Sequence, residues 1–175
     1  FQDEMIAMTY GRQVGGAASN FSELLDLGRT FGTRRQVHRP PNFFAHNGNS
    51  AIRKDLWREH PFDENLPGLE DIEWAKFWME RDYLVLYDPD AALHHIHKEH
   101  SRQIRTRYYR EAVASRQMGI KGRHHVPIDV AKEVCYTLTD LGHAVLPTGK
   151  CAEHDAGLVE RGREIFTFRF NKLVG

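Results

Sequence analysis

The chain has 175 residues, with Lys and Arg balancing Asp and Glu at 24 each and with 41% hydrophobic residues. That suffices for one domain with a real core and a small appendage; it excludes a disordered chain, and no net charge points to nucleic acid. No apolar run reaches the length of a membrane span and no signal peptide is visible, while Cys135 and Cys151 have neither metal nor redox spacing, which points to a reducing, cytoplasmic setting.

The opening Phe1-Gln-Asp-Glu-Met-Ile-Ala-Met has no leading Met and reads as the middle of an element, so the chain is expected to be a piece of something longer. Residues 5–10 are short, apolar and aromatic-ended, a buried strand that Gly11-Arg-Gln and the following Gly-Gly-Ala-Ala are expected to break. Ser19 or Asn20 caps a helix carrying Phe21, Leu24 and Leu25 and ending at Gly28. Residues 33–41 are basic and end in Pro, so a loop; 42–50 start strand-like and finish in turn residues; 51–60 read as a short helix stopped by Pro61.

The next stretch, Leu66-Pro-Gly-Leu-Glu70-Asp71-Ile-Glu-Trp74-Ala75, sets two adjacent carboxylates at a helix start. Pro67-Gly68 makes the turn, and Ile72, Ala75, Trp78 and Met79 recur at steps of three and four. Glu70 and Asp71 then fall in the first turn, where free backbone N–H groups and the macrodipole favour negative charge. Plain helix capping accounts for such a pair; so does a carboxylate presented at the floor of a cleft.

Residues 83–87 form the clearest strand, Asp88-Pro-Asp90 is expected to turn the chain, and 91–97 make a second extended segment. Strand alternation points His95 and His97 one way and His94 the other, and imidazoles at i and i+2 reach a single divalent metal. From 98 to 123 the chain is basic, with Lys98, Arg102, Arg105, Arg107, Arg110, Arg116, Lys121 and Arg123 against only Glu99 and Glu111. A basic helix with aromatics suits an anionic surface, lipid headgroup or phosphate, and also suits plain solvation. Val130, Val134, Leu138 and Leu141 make a clean helical stripe with Gly142 as its cap, and 158–172 form a terminal helix whose alternating end, 165–170, also reads as a strand.

In order along the chain stand Tyr10-Gly-Arg-Gln13, Asn47-Gly-Asn49-Ser-Ala-Ile-Arg53-Lys54, Phe62-Asp63-Glu64, Glu70-Asp71-Ile-Glu-Trp74, Tyr83-Leu-Val-Leu-Tyr87-Asp-Pro-Asp-Ala91 and His95-Ile-His97. Over residues 5–118 this series resembles the C-terminal half of a family 2 glycosyltransferase of the GT-A fold. The resemblance implies an α/β architecture, a partial GT-A-like (Rossmann-like) mixed sheet with flanking helices over 1–125; beyond it, the apolar stripe and the terminal helix read as a mainly helical C-terminal extension over 126–175. The resemblance implies an inverting transfer of a sugar from a nucleotide-sugar, a UDP-sugar first, to a hydroxyl of a glycan or lipid-linked acceptor, in surface polysaccharide or glycoconjugate synthesis. Asp71 matches the general base, with Glu70 orienting it or holding the acceptor. Asn49 and Trp74 match substrate-binding positions, and His95, more than His97, matches a ligand of the Mn²⁺ or Mg²⁺ on the diphosphate.

The family's N-terminal nucleotide-binding half, ending in Asp-x-Asp, has no counterpart here. Asp88-Pro-Asp90 matches the letters but lies after the Glu-Asp helix. The chain therefore resembles an acceptor-side half, inactive alone. The expected setting is cytoplasmic, at the inner face of the cell membrane through the basic helix 101–116, and a truncated sheet with an open edge favours a homo-oligomer. From another class, a non-catalytic GT-A-derived module binding a partner or an anionic membrane fits the same missing half. A histidine-metal hydrolase using His94, His95, His97 and His100 has no carboxylate at motif distance.

Overall fold

The computed structural model of the chain describes residues 3–16, 18–96 and 99–175. They form an α/β protein divided into two compact units, one made of Phe1–Val14 and Phe31–His94 and the other of Gly15–Thr30 and His95–Gly175.

The first unit is built on a four-stranded mixed sheet, β1 (Ile6–Val14), β2 (Gln36–His38), β3 (Ser50–Ile52) and β4 (Leu84–His94), in the order β2-β4-β1-β3. The central pair, β1 and β4, runs parallel, and the two short edge strands pair antiparallel to it. Central parallel strands are covered on both faces, which suits the apolar runs here: Ala7, Met8 and Val85 have no exposed surface, and Tyr10 and Tyr87 almost none. The loop expected over 33–41 contains β2. The helix expected over 51–60 shortens to α2 (Lys54–Glu59), because Ser50, Ala51 and Ile52 are taken up by pairing with Tyr10, Thr9 and Met8. The other helix of this unit, α3 (Glu70–Met79), starts where the sequence places it and turns Trp74, Ala75, Trp78 and Met79 inward.

Two expected breaks are absent. β1 continues through Gly11-Arg-Gln13, and β4 continues through Asp88-Pro-Asp90 without turning back. The register explains both: Gly11 lies opposite Asp88 and Gln13 opposite Leu93, so residues 89–92 bulge from β4 against the single residue Arg12 of β1. The Asn49 side-chain amide donates to the Ala91 carbonyl at 2.7 Å and holds the bulge down. Gly11 makes room for it, since a Cβ there would overlap the Ala91 carbonyl and the Asn49 amide nitrogen. Gly11→Ala is accordingly expected to destabilise the first unit by about 1–3 kcal/mol. Gly28→Ala, inside a helix with nothing within 4 Å of the new methyl, is expected to raise stability by up to about 1 kcal/mol. Thermal unfolding of the two variants side by side checks both signs.

The second unit is helical: α1 (Phe21–Thr30), α4 (Ser101–Gln117), α5 (Val126–Val145) and α6 (Leu158–Val174). α6 packs on each of the other three. Gly28 lies within α1 rather than ending it, and Gly142 lies within α5 rather than capping it, since α5 gains a further turn against α6. An apolar cluster of Phe21, Ala144 and Ile165, flanked by Leu25, Leu141 and Cys151, occupies one end. The interior also holds an ionic network. Arg169, 3% exposed, places Nε and Nη2 at 2.9 and 2.7 Å from Oδ2 of the fully buried Asp140, and its Nη1 at 3.0 Å from Glu133 and 3.3 Å from Asp26. Arg29 closes on the other Asp140 oxygen, and Lys172 on Asp26 and Glu133. The expected stripe is divided: Val130, Val134 and Leu138 are exposed while Leu141 packs on the apolar cluster, because α5 turns Glu133, Asp140 and Ala144 inward. The terminal helix runs through 165–170, not a strand. Among the described residues, no helix is long and apolar enough to cross a membrane.

Glu23 at the start of α1 gives this unit a pH dependence. Its carboxylate reaches back to accept from the Asn20 backbone N–H at 3.1 Å, ahead of the helix. Burial, reinforced by Glu99 and Glu164 and opposed by the Asn20 N–H and Arg107, pushes its pKa from 4.5 up to about 7. The folded chain thus keeps a proton that the unfolded chain releases, so this contribution is fully present below pH 4.5 and fades as pH rises to about 7. Glu23→Gln is expected to remove a fall of roughly 1–3 kcal/mol over that window, read as a flattened plot of melting temperature against pH.

Candidate functional site

Elements of the first unit converge on the N-terminus of α3. Leu69, just before it, is held at φ 59°, a left-handed conformation that a branched aliphatic residue rarely adopts. Backbone strain of this kind persists where the surroundings over-determine it. The kink sets Glu70 and Asp71 in the first turn, and Asp71 is driven inward to 9% exposure. Its Oδ2 accepts the Asn47 backbone N–H at 2.8 Å and its Oδ1 the Ile72 N–H at 2.8 Å. Asp71 therefore ties the 47–49 turn to the start of α3.

Burial raises the Asp71 pKa above the ordinary carboxylate value, against the lowering effect of the Asn47 N–H, and neighbouring Glu70 pushes it further up. A carboxylate so shifted is a better proton acceptor once ionised. Each oxygen gives one lone pair to a backbone N–H and keeps another. Glu70 is half-buried and has no hydrogen-bonded partner among the described residues.

The turn that Asp71 holds is supported by Gln13 and by His46, which no sequence motif marks. His46 Nδ1 accepts from the Gln13 amide at 2.8 Å and from the Gly48 backbone N–H at 3.0 Å. With Nδ1 accepting twice, the ring proton of neutral His46 is assigned to Nε2. Gln13 is 1% exposed, and its Oε1 has no hydrogen-bond donor among the described residues, an orphaned buried acceptor beside the 46–49 turn. A Cβ on Gly48 would press on the Gln13 amide, so the close seat needs glycine. Gln13 lies in a motif quoted above, but its partner is 33 residues away, and nothing local announces that contact.

Asn49 is in the turn, with its amide committed to Ala91. Trp74 is completely buried, its Nε1 donating to the His60 carbonyl at 2.7 Å and its ring against Phe62 and Trp78. It has no surface to offer a substrate and packs beneath the α3 N-terminus. His95 follows the end of β4, half-buried and engaged in interactions of its own, and it belongs to the second unit. His97 lies outside the described residues. Among the described residues, no group of three or more His, Cys, Asp or Glu side chains is arranged to hold a metal ion.

Compared with models of known protein families, with curated proteins and with solved structures, the chain matches none.

Proposed function

We propose that this chain is the acceptor-side half of an inverting, family 2-type glycosyltransferase of the GT-A fold, with Asp71 as the general base. The observation that carries the reading is a single carboxylate that is buried, raised in pKa and held at a strained loop-to-helix junction. In the transfer, an acceptor O–H breaks and its proton passes to Asp71. The acceptor oxygen bonds to the anomeric carbon, and the bond from that carbon to the diphosphate breaks, its electron pair leaving with the nucleotide. Proton removal by a positioned carboxylate supplies roughly 10²–10⁴-fold of rate. Glu70 acts beside it by keeping Asp71 basic. The donor is a nucleotide-sugar, a UDP-sugar in the first instance, and the acceptor is a glycan or lipid-linked hydroxyl. The resemblance also implies Mn²⁺ or Mg²⁺ at the diphosphate; the described residues do not assemble a ligand set for it, and no step here is assigned to it.

The test is acceptor-dependent release of UDP from a UDP-sugar by the complete enzyme that contains this chain. Release at the same rate without acceptor overturns the reading. A second reading has its own observation: both Asp71 oxygens are already bonded to backbone N–H groups, as in a structural staple. On that reading the chain is a GT-A-derived binding module, and Asp71→Asn affects stability alone.

A further inference from the structure

The basic helix α4 does not present its charges evenly. Arg107 is turned inward, its Nη2 at 2.8 Å from Glu99 and its Nη1 at 3.9 Å from Glu111. Arg102, Arg105 and Arg116 are exposed and have no ion-pair partner among the described residues, and Tyr109 between them is 62% exposed. Steps of three, four and seven put these four side chains within an arc of about 60° on one helix face. The unit they belong to is itself cationic, with 15 Lys and Arg against 11 Asp and Glu, while the first unit carries the opposite imbalance. The zero net charge of the chain conceals this division. The same unit leaves large apolar side chains in water, among them Phe166 at 58% and Phe170 at 62% on α6.

We propose that the Arg102–Arg105–Tyr109–Arg116 face of α4 docks on an anionic lipid surface. Unpaired arginines supply the attraction to acidic headgroups, and tyrosine is a side chain whose apolar ring and polar tip suit the headgroup level. Exposed phenylalanines in the same unit favour a bilayer over an acidic protein or a nucleic acid, because they gain by leaving water at an interface. The proposal does not rest on glycosyl transfer, since it is read by binding alone.

The experiment is co-sedimentation of the chain with vesicles of equal parts phosphatidylcholine and phosphatidylserine, and with vesicles of phosphatidylcholine only. Binding is expected to the anionic vesicles, to weaken with salt, and to fall about fivefold for each arginine replaced by Gln, or roughly a hundredfold in the variant combining Arg102→Gln, Arg105→Gln and Arg116→Gln. These side chains have no ion-pair partner among the described residues to lose, so folding is expected to be retained, checked by circular dichroism. A control combining Arg34→Gln, Arg39→Gln and Arg58→Gln, exposed residues of the first unit, changes net charge equally and is expected to leave binding within a few-fold. Equal loss in the control, equal binding to both vesicle types, or binding of single-stranded RNA without binding of vesicles overturns the proposal.

Discussion

On the proposed glycosyl-transfer reading, Asp71→Asn is expected to lower kcat by roughly 10²-fold or more in the complete enzyme, with the KM for the donor sugar little changed. The substitution keeps size and shape but removes the proton acceptor. It also has a structural cost. Asn offers one oxygen where Asp71 offers two, so either the Asn47 or the Ile72 N–H faces an amide NH₂, at about 1–3 kcal/mol. Kinetics are therefore measured well below the melting temperature of the variant. A folded Asp71→Asn enzyme with near-wild-type turnover removes Asp71 from the base role and leaves the staple. Glu70→Gln separates the two roles further. Glu70 raises the Asp71 pKa by like charge, so its neutralisation lowers that pKa and moves the acidic limb of the rate profile to lower pH. A purely structural pair leaves that limb in place.

How far this site is legible in the sequence follows from the reach of each signal. Helix α3 and its two leading carboxylates are readable because the Pro-Gly turn and the three-four periodicity lie within a dozen residues. The bulge in β4 is not: Asp88-Pro-Asp90 has turn chemistry, and only its pairing opposite Gly11 of β1 shows the chain continuing straight. Gln13 and His46 escape for the same reason, since their contact joins a strand end to a distant turn. Trp74 illustrates a different ambiguity. An aromatic next to candidate catalytic carboxylates suits a sugar platform or a core residue equally, and burial alone decides. In α5, periodicity identifies an apolar face correctly but says nothing of which way it points. The inward face carries Glu133 and Asp140, whose partners come from α1 and α6.

That inverted helix leads to the second large effect. Arg169→Ala is expected to destabilise the second unit by about 3 kcal/mol, since removing one partner from a buried ionic network leaves desolvated charge without compensation. Asp140, with no exposed surface, loses two hydrogen bonds and, among the described residues, keeps only Arg29, while Asp26 and Glu133 keep Lys172. Those remaining cations place the effect at the lower end of the usual 3–5 kcal/mol range. Apolar substitution of both partners, Arg169→Met with Asp140→Leu, is expected to recover much of the loss, because Arg29 is 27% exposed and able to turn to water. Lys121→Ala, which breaks an exposed pair with Asp129, is expected to cost under about 1 kcal/mol. Urea unfolding resolves these with two probes. Trp57, Trp74 and Trp78 all lie in the first unit, so tryptophan fluorescence follows that unit, and helical circular dichroism follows mainly the second. A shift in the dichroism midpoint for Arg169→Ala locates the loss in the helical unit. A midpoint within about 0.5 kcal/mol of the parent shows instead that burying these charges costs as much as their pairing returns, the balance known for some buried ion pairs.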